Sequence, residues 1–310
     1  MPRRSARPAP PVNDAVRDDD FRCGYVAIIG RPNVGKSTLM NRLVGQKISI
    51  TSKKAQTTRH RVTGVLTTPD AQFAFVDTPG FQTKHRSRLN DRMNRTVTRS
   101  IADVDATVFV IEAGHTTDAD RAVVRLLPAA AGVVVALNKV DRLKDRDALL
   151  PQMAELSALY PFAAIVPVSG EKERGLEALR SEVRSLLPAG AAIFAVDEIT
   201  DRDERFLAAE FIREKIFRLL GEEVPYATTV AIDRFDAQGP IRRIHATVYV
   251  ERENQRAILL GAAGAQMKEI ASKARADMER LFGGPVFLEV WVRVKRGWAD
   301  DDALLTRFGY

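Results

Sequence analysis

The sequence predicts an α/β fold, with a mostly parallel, doubly wound sheet followed by a smaller α+β domain. Apolar strand-like runs alternate with helical patterns up to residue 188, as is typical of parallel strands covered on both faces. A glycine-rich segment, GRPNVGKST (residues 30–38), joins the first of these runs to a helix. Beyond residues 189–203, where the composition changes, the pattern becomes a helix, a strand pair, two helices and a last strand.

Five segments follow from these changes in composition. The first is rich in Pro, Arg and Asp, which predicts a disordered tail. The expected segments are the tail (1–20), the α/β domain (21–188), a linker (189–203), the α+β domain (204–296) and a C-terminal tail (297–310).

In the α/β domain, the strands are predicted from short apolar runs. The second and third runs are separated by the turn residues Pro69 and Asp70. Loops at the carboxyl ends of such parallel strands are the expected place for a ligand. The predicted strands lie at residues 24–29, 62–68, 73–77, 106–113, 133–137 and 163–169.

The α+β domain is predicted from a change of periodicity. Its first helix carries an apolar stripe, two strands flank a turn at 236–240, and GAAG (261–264) separates a short helix from a longer one at 265–281. This αββααβ order, with a GxxG between helices, is typical of an RNA-binding module. The residues predicted to face the core are Phe206, Ala209, Ile212, Ile216 and Leu219 on the helix, Ile244, Ala246, Val248 and Val250 on the second strand, and Val286, Leu288, Val290, Val292 and Val294 on the last.

Charge is distributed unevenly along the 310 residues, whose net charge is +7. Residues 21–100 carry 15 Lys and Arg against three acidic residues, whereas residues 201–310 carry 18 against 18. The basic excess around 47–61 and 84–99 has two readings that stay open: a solvated face, or a contact with an anionic partner such as RNA or acidic lipid.

Several classes of protein are excluded by composition. No apolar run approaches the roughly 20 residues of a membrane span, and the first residues lack the apolar core of a signal peptide. The single cysteine, Cys23, has no partner for an internal disulfide, which favours a reducing compartment. The four histidines are too scattered in sequence to indicate a metal site.

GRPNVGKST has the GxxxxGKS pattern of a phosphate-binding loop. Gly30 and Gly35 permit the tight turn that points backbone N–H groups inward, and the following helix adds its positive dipole end. Lys36 is expected to reach the β- and γ-phosphates, and the Ser37 hydroxyl to ligate Mg²⁺. The pattern predicts a nucleoside triphosphate site.

NKVD (residues 138–141) selects the base. It follows a predicted strand, where Asp141 can accept hydrogen bonds from the ring N–H and exocyclic amine of guanine. Adenine presents no such pair of donors, and a buried acceptor left unpaired by the wrong ligand discriminates strongly. A P-loop ATPase or kinase is therefore rejected, and Ser169 and Gly170 are expected to back the guanine from the last strand.

DTPG (residues 77–80) and the threonine pair Thr57 and Thr58 provide the expected switch elements. Asp77 can hold Mg²⁺ through water, Gly80 can sense the γ-phosphate through its N–H, and a threonine hydroxyl can complete the metal shell. Phe81 occupies the position where many GTPases place a water-orienting glutamine, so we expect slow intrinsic hydrolysis.

At this point the chain resembles the bacterial Era GTPases from about Arg22 to Tyr310. The resemblance rests on GRPNVGKS, QTTRH (56–60), DTPG, NKVD, VER (250–252), the GxxG loop, LEVWVRVK (288–295), GWADD and a terminal FGY. It implies a P-loop GTPase domain followed by an α+β type II KH domain. It also implies a cytoplasmic monomer, with the inner face of the cell membrane as a candidate peripheral contact, that binds small-subunit ribosomal RNA near its 3′ end and assists assembly of the small ribosomal subunit.

The motifs and the resemblance together define the expected site residues. GTP or GDP and Mg²⁺ are the expected ligands, and K⁺ is a candidate because Asn33 matches a position that helps to hold it in related GTPases. The expected nucleotide-binding residues are Gly30, Asn33, Gly35, Lys36, Ser37, Thr38, Asp77, Gly80, Asn138, Lys139, Asp141, Ser169 and Gly170, with Ser37, Thr58 and Asp77 as metal ligands and Lys36, Thr58 and Gly80 as catalytic residues. The expected RNA-binding residues are Gly261, Ala262, Ala263, Gly264 and Lys268.

Two departures from the family pattern keep an alternative open. The chain has Ser169-Gly170 where the family usually has Ser-Ala, and its GxxG loop lacks the usual lysine. With its balanced charge, the C-terminal domain has a second reading as a module that docks a protein or membrane surface. Lys268, Lys273 and Arg275 near the loop favour RNA, and Trp291 and Trp298 are expected to pack in the core rather than stack on bases.

Overall fold

Two sheets organise the chain, one in each predicted domain. The computed structural model describes residues 20–54, 57–81, 88–127, 132–145, 147–221 and 223–308. Nearly all of the expected N-terminal tail, together with Gln56, Gly309 and Tyr310 of the family motifs, lies outside these residues.

The first sheet has six strands in the order β2-β3-β1-β4-β5-β6, parallel except for the antiparallel pair β2 and β3. Its strands are β1 (Arg22–Ile29), β2 (Val62–Thr67), β3 (Ala71–Asp77), β4 (Ala106–Glu112), β5 (Gly132–Asn138) and β6 (Ala164–Pro167). The helices of this domain are α1 (Lys36–Val44), α2 (Arg88–Ala102), α3 (Asp118–Val124), α4 (Leu149–Leu159) and α5 (Leu176–Leu186).

The central strands are apolar on both faces, as the sequence predicted. Residues 133–137 of β5 are completely buried because separate core clusters cover the two sides of the sheet. The predicted α/β class is therefore confirmed. The last strand is shorter than predicted, because Ser169 exchanges backbone hydrogen bonds with Arg174 (2.9 and 3.1 Å) and the chain leaves the sheet after Pro167.

The second sheet has the order β7-β8-β9, with β7 antiparallel and β9 parallel to the central strand. Its elements are α6 (Glu204–Leu219), β7 (Thr228–Asp236), β8 (Arg242–Val250), α7 (Glu253–Leu260), α8 (Ala265–Phe282), β9 (Val286–Val294) and α9 (Asp302–Arg307). The four apolar residues predicted to point inward from β8 are fully buried, and the five from β9 all lie in the core cluster or pack against it. The αββααβ order of the sequence prediction is confirmed.

Helix α6 differs from its predicted single apolar stripe, because residues 210–217 are all buried. They include Glu210, Arg213, Glu214 and Lys215, whose charges are paired inside the molecule. The helix is covered by its own sheet and α8 on one side and by residues of the first domain on the other. The helix is buried on all sides, rather than along one apolar stripe, because it lies between two domains.

The first domain contacts the second through the segment that follows α1. Lys47 bridges Glu214 and Asp277, with both N–O distances at 2.5 Å. Arg59 donates to the backbone carbonyls of Pro225, Tyr226 and Thr228 at 2.9–3.1 Å. This segment is therefore held against the second domain by charged side chains with defined partners.

The two tryptophans have different environments. Trp298 is fully buried and donates from Nε1 to the carbonyl of Ala227 (3.1 Å), so its predicted packing role is confirmed. Trp291 is 56% exposed, and the packing prediction is wrong for it. The strand alternation of β9 explains this, because Val290 and Val292 face the helices and Trp291 faces the opposite side of the sheet.

A search of the described residues for membrane-spanning helices found none that is long and apolar enough to cross a bilayer.

Candidate functional site

The phosphate-binding loop has the backbone geometry that its glycines predict. Gly30 and Gly35 have φ angles of 149° and 101°, in the region that favours glycine. A Cβ atom at Gly30 would lie 2.4 Å from the carbonyl oxygen of Val110. Helix α1 begins directly after Gly35, so the first-turn N–H groups of Lys36, Ser37 and Thr38 have no partner within the helix. They are free to bind an anion.

Lys36 is folded back onto its own loop. Its side chain is 6% exposed, and its Nζ donates to the carbonyls of Gly30 and Arg31, both at 3.0 Å. Burial lowers the pKa of Lys36 to about 8, although the neighbouring Asp77 carboxylate opposes the shift. The loop thus holds a buried cation without a salt-bridge partner among the described residues, suited to a phosphate.

The three predicted metal ligands lie together at the carboxyl end of β3. Ser37 Oγ donates to Asp77 Oδ2 at 2.6 Å, and Thr58 Oγ1 lies 2.8 Å from Ser37 Oγ and 3.3 Å from the same carboxylate oxygen. Thr57 is directed elsewhere, donating to the carbonyl of Lys54 (2.8 Å). The structure therefore separates the two threonines that the sequence left as alternatives.

The cluster fits a hard cation. Asp77 is fully buried, and its Oδ1 has no hydrogen-bond partner among the described residues. Burial raises the pKa of Asp77 despite the hydroxyls that donate to it. A cation beside Oδ1 would satisfy the unpartnered atom and favour the ionised carboxylate. The donor set of two hydroxyls and one carboxylate suits Mg²⁺, which normally completes its shell with waters and phosphate oxygens.

Ser49 is a member of this cluster that sequence reasoning missed. Its Oγ donates to Asp77 Oδ2 at 2.6 Å, and the residue is 2% exposed. Asn41 on α1 fixes the loop, because its side chain accepts from the N–H groups of Ile48 and Ser49 (both 2.9 Å) and donates to the Ser49 carbonyl. No motif marks a serine in this loop, so only the contact reveals it.

Asn138 has a scaffolding position in the base-binding loops. Its Nδ2 donates to the carbonyl of Val34 (2.9 Å) and its Oδ1 accepts from the Gly170 N–H (3.0 Å). It therefore ties the phosphate loop to the segment after β6. The glycine at 170 is not required by crowding, since an added Cβ would meet Leu39 only at 3.4 Å.

Lys139 and Asp141 are the other two polar side chains of NKVD, and both have defined partners. Lys139 donates to the carbonyl of Asn33 (2.7 Å) and pairs with Glu112 (3.0 Å), which also pairs with Arg31 (3.1 Å). The hydroxyl of the buried Ser169 donates to Asp141 Oδ1, which fixes the half-buried carboxylate. Asp141 Oδ2 makes no hydrogen bond among the described residues, which leaves an acceptor for a base.

The segment after β3 packs directly on the phosphate loop. A Cβ atom at Gly80 would lie 2.9 Å from the Cα and N atoms of Pro32, so this close approach requires glycine. Phe81 packs partly against the apolar cluster beneath the sheet. Residues 82–87 lie outside the described part of the chain.

The GAAG loop connects α7 to α8 as predicted. Gly261, Ala263 and Gly264 have φ angles of 70°, 49° and 78°, and a Cβ at Gly261 would lie 2.7 Å from Gln266 Cβ. Ala262 and Ala263 are exposed, so the loop presents backbone and methyl groups to solvent. Lys268 is exposed one turn into α8, whereas the other predicted basic neighbours pair with Glu269 (2.7 Å) and Glu279 (3.8 Å) on their own helix.

Two protein-family models match this chain. One is described as a 50S ribosome-binding GTPase and covers residues 25–139, and the other is the KH domain and covers residues 223–299. Their order agrees with the two sheets and the two candidate sites described above.

Similar proteins match along almost the whole chain. The GTPase Era of Nitrosomonas eutropha is 54% identical, over 94% of this chain and 98% of its own. The GTPase Era of Chromobacterium violaceum is 52% identical, over 94% and 99%.

Two solved structures share the fold of both domains. A variant of Era from Aquifex aeolicus bound to GDP and AlF4⁻ has a TM-score of 0.89 and 37% identity, over 94% of this chain and 99% of its own. Era in complex with MgGDPNP and nucleotides 1506–1542 of 16S ribosomal RNA has a TM-score of 0.89 and 38% identity, with the same coverage.

Proposed function

Because the chain belongs to the GTPase Era family, we propose that it is a GTP-hydrolysing switch protein that binds small-subunit ribosomal RNA near its 3′ end and assists assembly of the small ribosomal subunit. One observation carries the proposal: the same chain contains a nucleotide-type site and a KH domain. The site is the Ser37–Thr58–Asp77 cluster beside a buried lysine. The relatives bound to GDP and AlF4⁻, and to MgGDPNP with 16S ribosomal RNA, support the same pairing.

The nucleotide is held by residues at the carboxyl ends of the first sheet. Lys36 and the N–H groups that begin α1 bind the phosphates, and Asp141 accepts from guanine while Asn138 and Ser169 hold the loops. Mg²⁺, bound through Ser37, Thr58 and Asp77, would neutralise phosphate charge. Gly80 packs on Pro32 of the phosphate loop, and its N–H would sense the γ-phosphate in this proposal.

Hydrolysis is slow in the isolated protein, in this proposal, because Phe81 has no group that can orient water. Asn33 contributes a potassium ligand, since its backbone is held in the phosphate loop at φ 66° and its side chain makes no hydrogen bond among the described residues. K⁺ near the phosphates would supply the positive charge that an arginine finger supplies elsewhere.

The potassium role predicts a cation-dependent rate. GTP turnover should be faster in KCl than in NaCl at equal ionic strength, and Asn33→Ala should lose the difference while retaining GTP binding. Phosphate release in the two salts measures this. Equal wild-type rates in the two salts would remove potassium from the proposal and leave the rest standing.

The KH domain binds single-stranded RNA through the GAAG loop. Such a loop clamps backbone phosphates through N–H groups, and its glycines let the backbone approach closely. Lys268 adds one exposed charge at the start of α8. Because the proposed partner is ribosomal RNA, the proposal also places the protein in the cytoplasm. We propose that it acts there as a monomer.

The RNA role is tested by adding charge to the loop. Ala262→Asp combined with Ala263→Asp places two carboxylates against phosphates, and affinity for a fragment of 16S ribosomal RNA corresponding to nucleotides 1506–1542 should fall at least tenfold. GTP affinity should be unchanged because the nucleotide site lies on the other sheet. The matched control is Ala237→Asp with Gln238→Asp, which adds the same charge at the exposed turn between β7 and β8.

The two outcomes separate the candidate functions. Wild-type binding that is lost only in the loop variant supports the RNA role. Full RNA affinity in the loop variant would leave the loop as a helix connector and would favour a domain that docks protein or membrane.

A further inference from the structure

A row of arginines on α2 faces a cleft that the nucleotide and KH sites do not use. The helix carries Arg88, Arg92, Arg95 and Arg99 against one acidic residue, Asp91. The cleft has a volume of about 470 Å³ and is lined by Arg92, Arg95, Thr96, Arg99 and Asp302, so it lies between α2 of the first domain and α9 of the second. A smaller cleft of about 200 Å³ shares Arg92 and Thr96 with it, and its other lining residues are Arg59, His60, Arg61, Leu89, Met93 and Arg202.

The charges in this cleft are only partly neutralised. Asp302 accepts from Arg88 (2.7 Å) and Arg92 (2.9 Å). Arg95 and Arg99 are exposed and form no salt bridge among the described residues. Arg95 Nε donates to the backbone carbonyl of Asp91 (3.3 Å), so the cleft presents two guanidinium groups that have no carboxylate partner among the described residues. The Asp302 carboxylate beside them is already shared by Arg88 and Arg92.

The structure also shows which basic residues of the segments 47–61 and 84–99 already have partners inside the protein. In the segment 47–61, Lys47 is bound to Glu214 and Asp277, Lys54 to the carbonyls of Leu220 and Gly221, and Arg59 to three further carbonyls. Those charges hold the domains together. Lys53 in this segment is exposed, and with the exposed α2 arginines it forms a described part of the basic excess that can meet an external anion.

We propose that the α2 cleft binds the sugar-phosphate backbone of RNA, as a second contact beside the GAAG loop; this rests on the proposed RNA-binding function. Arg95 and Arg99 lie about 6 Å apart along the helix axis, so they can meet successive charges of a phosphodiester chain. Guanidinium groups bind phosphates in a bidentate manner. The cleft has no apolar lining residue that would anchor a protein.

Charge balance supports the same assignment. The C-terminal domain carries equal numbers of basic and acidic residues, and its loop has no lysine. Long-range attraction of an RNA therefore has to come from the first domain. An RNA that reaches both the loop and the α2 cleft would contact the two domains at once.

The test compares a long and a short RNA on the full chain with bound GTP analogue. The long probe is the 16S fragment corresponding to nucleotides 1506–1542, and the short probe is a single-stranded tetranucleotide of its sequence, which fills only a KH groove. Arg95→Ala with Arg99→Ala should weaken the long probe about tenfold and reduce its log-log salt slope by about 1.4, at about 0.7 per phosphate contact. The tetranucleotide should bind as it does to the wild type.

Matched variants separate the alternatives. Arg125→Ala with Lys144→Ala removes two exposed positive charges elsewhere on the same domain and should change neither probe. Arg95→Lys with Arg99→Lys should retain the salt slope.

Three outcomes would overturn the proposal: an Arg95/Arg99 alanine variant that matches this control, equal weakening of both probes, or a defect confined to binding vesicles that contain phosphatidylglycerol. If the wild type binds neither RNA, the proposed function fails, which is a distinct result.

Discussion

Lys36 combines deep burial with a phosphate-binding position, and this combination has a measurable consequence at the scale of one residue. Its ammonium group donates to the carbonyls of Gly30 and Arg31, and burial lowers its pKa to about 8. Phosphate oxygens favour the charged form, so a bound nucleotide raises this pKa again. Binding of GTP is then linked to uptake of a proton above pH 8.

We therefore expect GTP affinity to fall about fourfold between pH 7 and pH 8.5, as Lys36 loses its proton in the free protein. The sign follows from the shift, because the pKa is lower in the free state than in the bound state. Titration with a fluorescent GTP analogue measures the effect. Lys36→Arg keeps its charge at every pH and should give a flat profile; a flat profile in the wild type would contradict the assignment.

At the scale of elements, the sequence predicts a strand or a loop best where its residues fit only one environment. The apolar runs of β4 and β5 fit only buried strands, and the glycines at 30 and 35 fit only a tight loop. Helix α6 is harder, because its charged residues suggest a solvated face. Only the tertiary structure shows that Arg213 pairs with Glu210 (2.6 Å) and Lys215 with Glu214 (2.9 Å) between two domains.

In the candidate site too, some contacts are predicted by sequence motifs and others are visible only in the tertiary structure. Ser37 and Asp77 stand in motifs whose spacing predicts their contact, whereas Ser49 reaches Asp77 through a loop shaped by Asn41. Loop shape of this kind depends on contacts that no local pattern records. Trp291 likewise lies on the outer face of β9, although its strand suggested packing.

His60 packs against α6 and makes this contact sensitive to pH. Its ring lies edge-on to Phe206, with centroids 5.4 Å apart. Burial lowers the pKa of His60 to about 4; Glu210 opposes this shift, and neighbouring arginines including Arg213 add to it. The folded protein therefore keeps His60 neutral under conditions where the unfolded chain binds a proton.

Because the folded pKa lies below the ordinary value of about 6.5, stability is complete above pH 6.5 and is lost as pH falls toward 4. We expect His60 to account for a loss of about 2 kcal/mol in the free energy of unfolding between pH 7 and pH 5. Glu210 adds nothing in this window, since its lowered pKa acts only below about 4.5. Urea unfolding of His60→Gln should show a shallower pH dependence, and the exposed control His115→Gln should match the wild type.

At the scale of the whole molecule, the nucleotide cluster and the KH domain share one segment. Thr58 lies at Asp77 in the first domain, and the next residue, Arg59, reaches the carbonyls of Pro225, Tyr226 and Thr228 in the second. The guanidinium group also stacks near the rings of Phe217 and Trp298, at 5.6 and 5.8 Å. A movement of Thr58 on loss of γ-phosphate would therefore pull directly on the docked arginine.

Removal of the Arg59 side chain should loosen the domains and uncouple them from the nucleotide. Three backbone carbonyls, those of Pro225 and Thr228 buried and that of Tyr226 partly buried, would lose a charged donor, so Arg59→Ala should lower the free energy of unfolding by roughly 3 kcal/mol. In the wild type, cleavage of the linker at residues 189–203 by a dilute protease should differ between the GDP and GTP-analogue states. In Arg59→Ala, both states should be cleaved at one faster rate. Arg61→Ala is the matched control, since Arg61 lies two residues further along the chain and is only half-buried. A variant at Arg59 that kept the nucleotide-dependent difference would show that the domains are coupled through other contacts, such as Lys47 with Glu214.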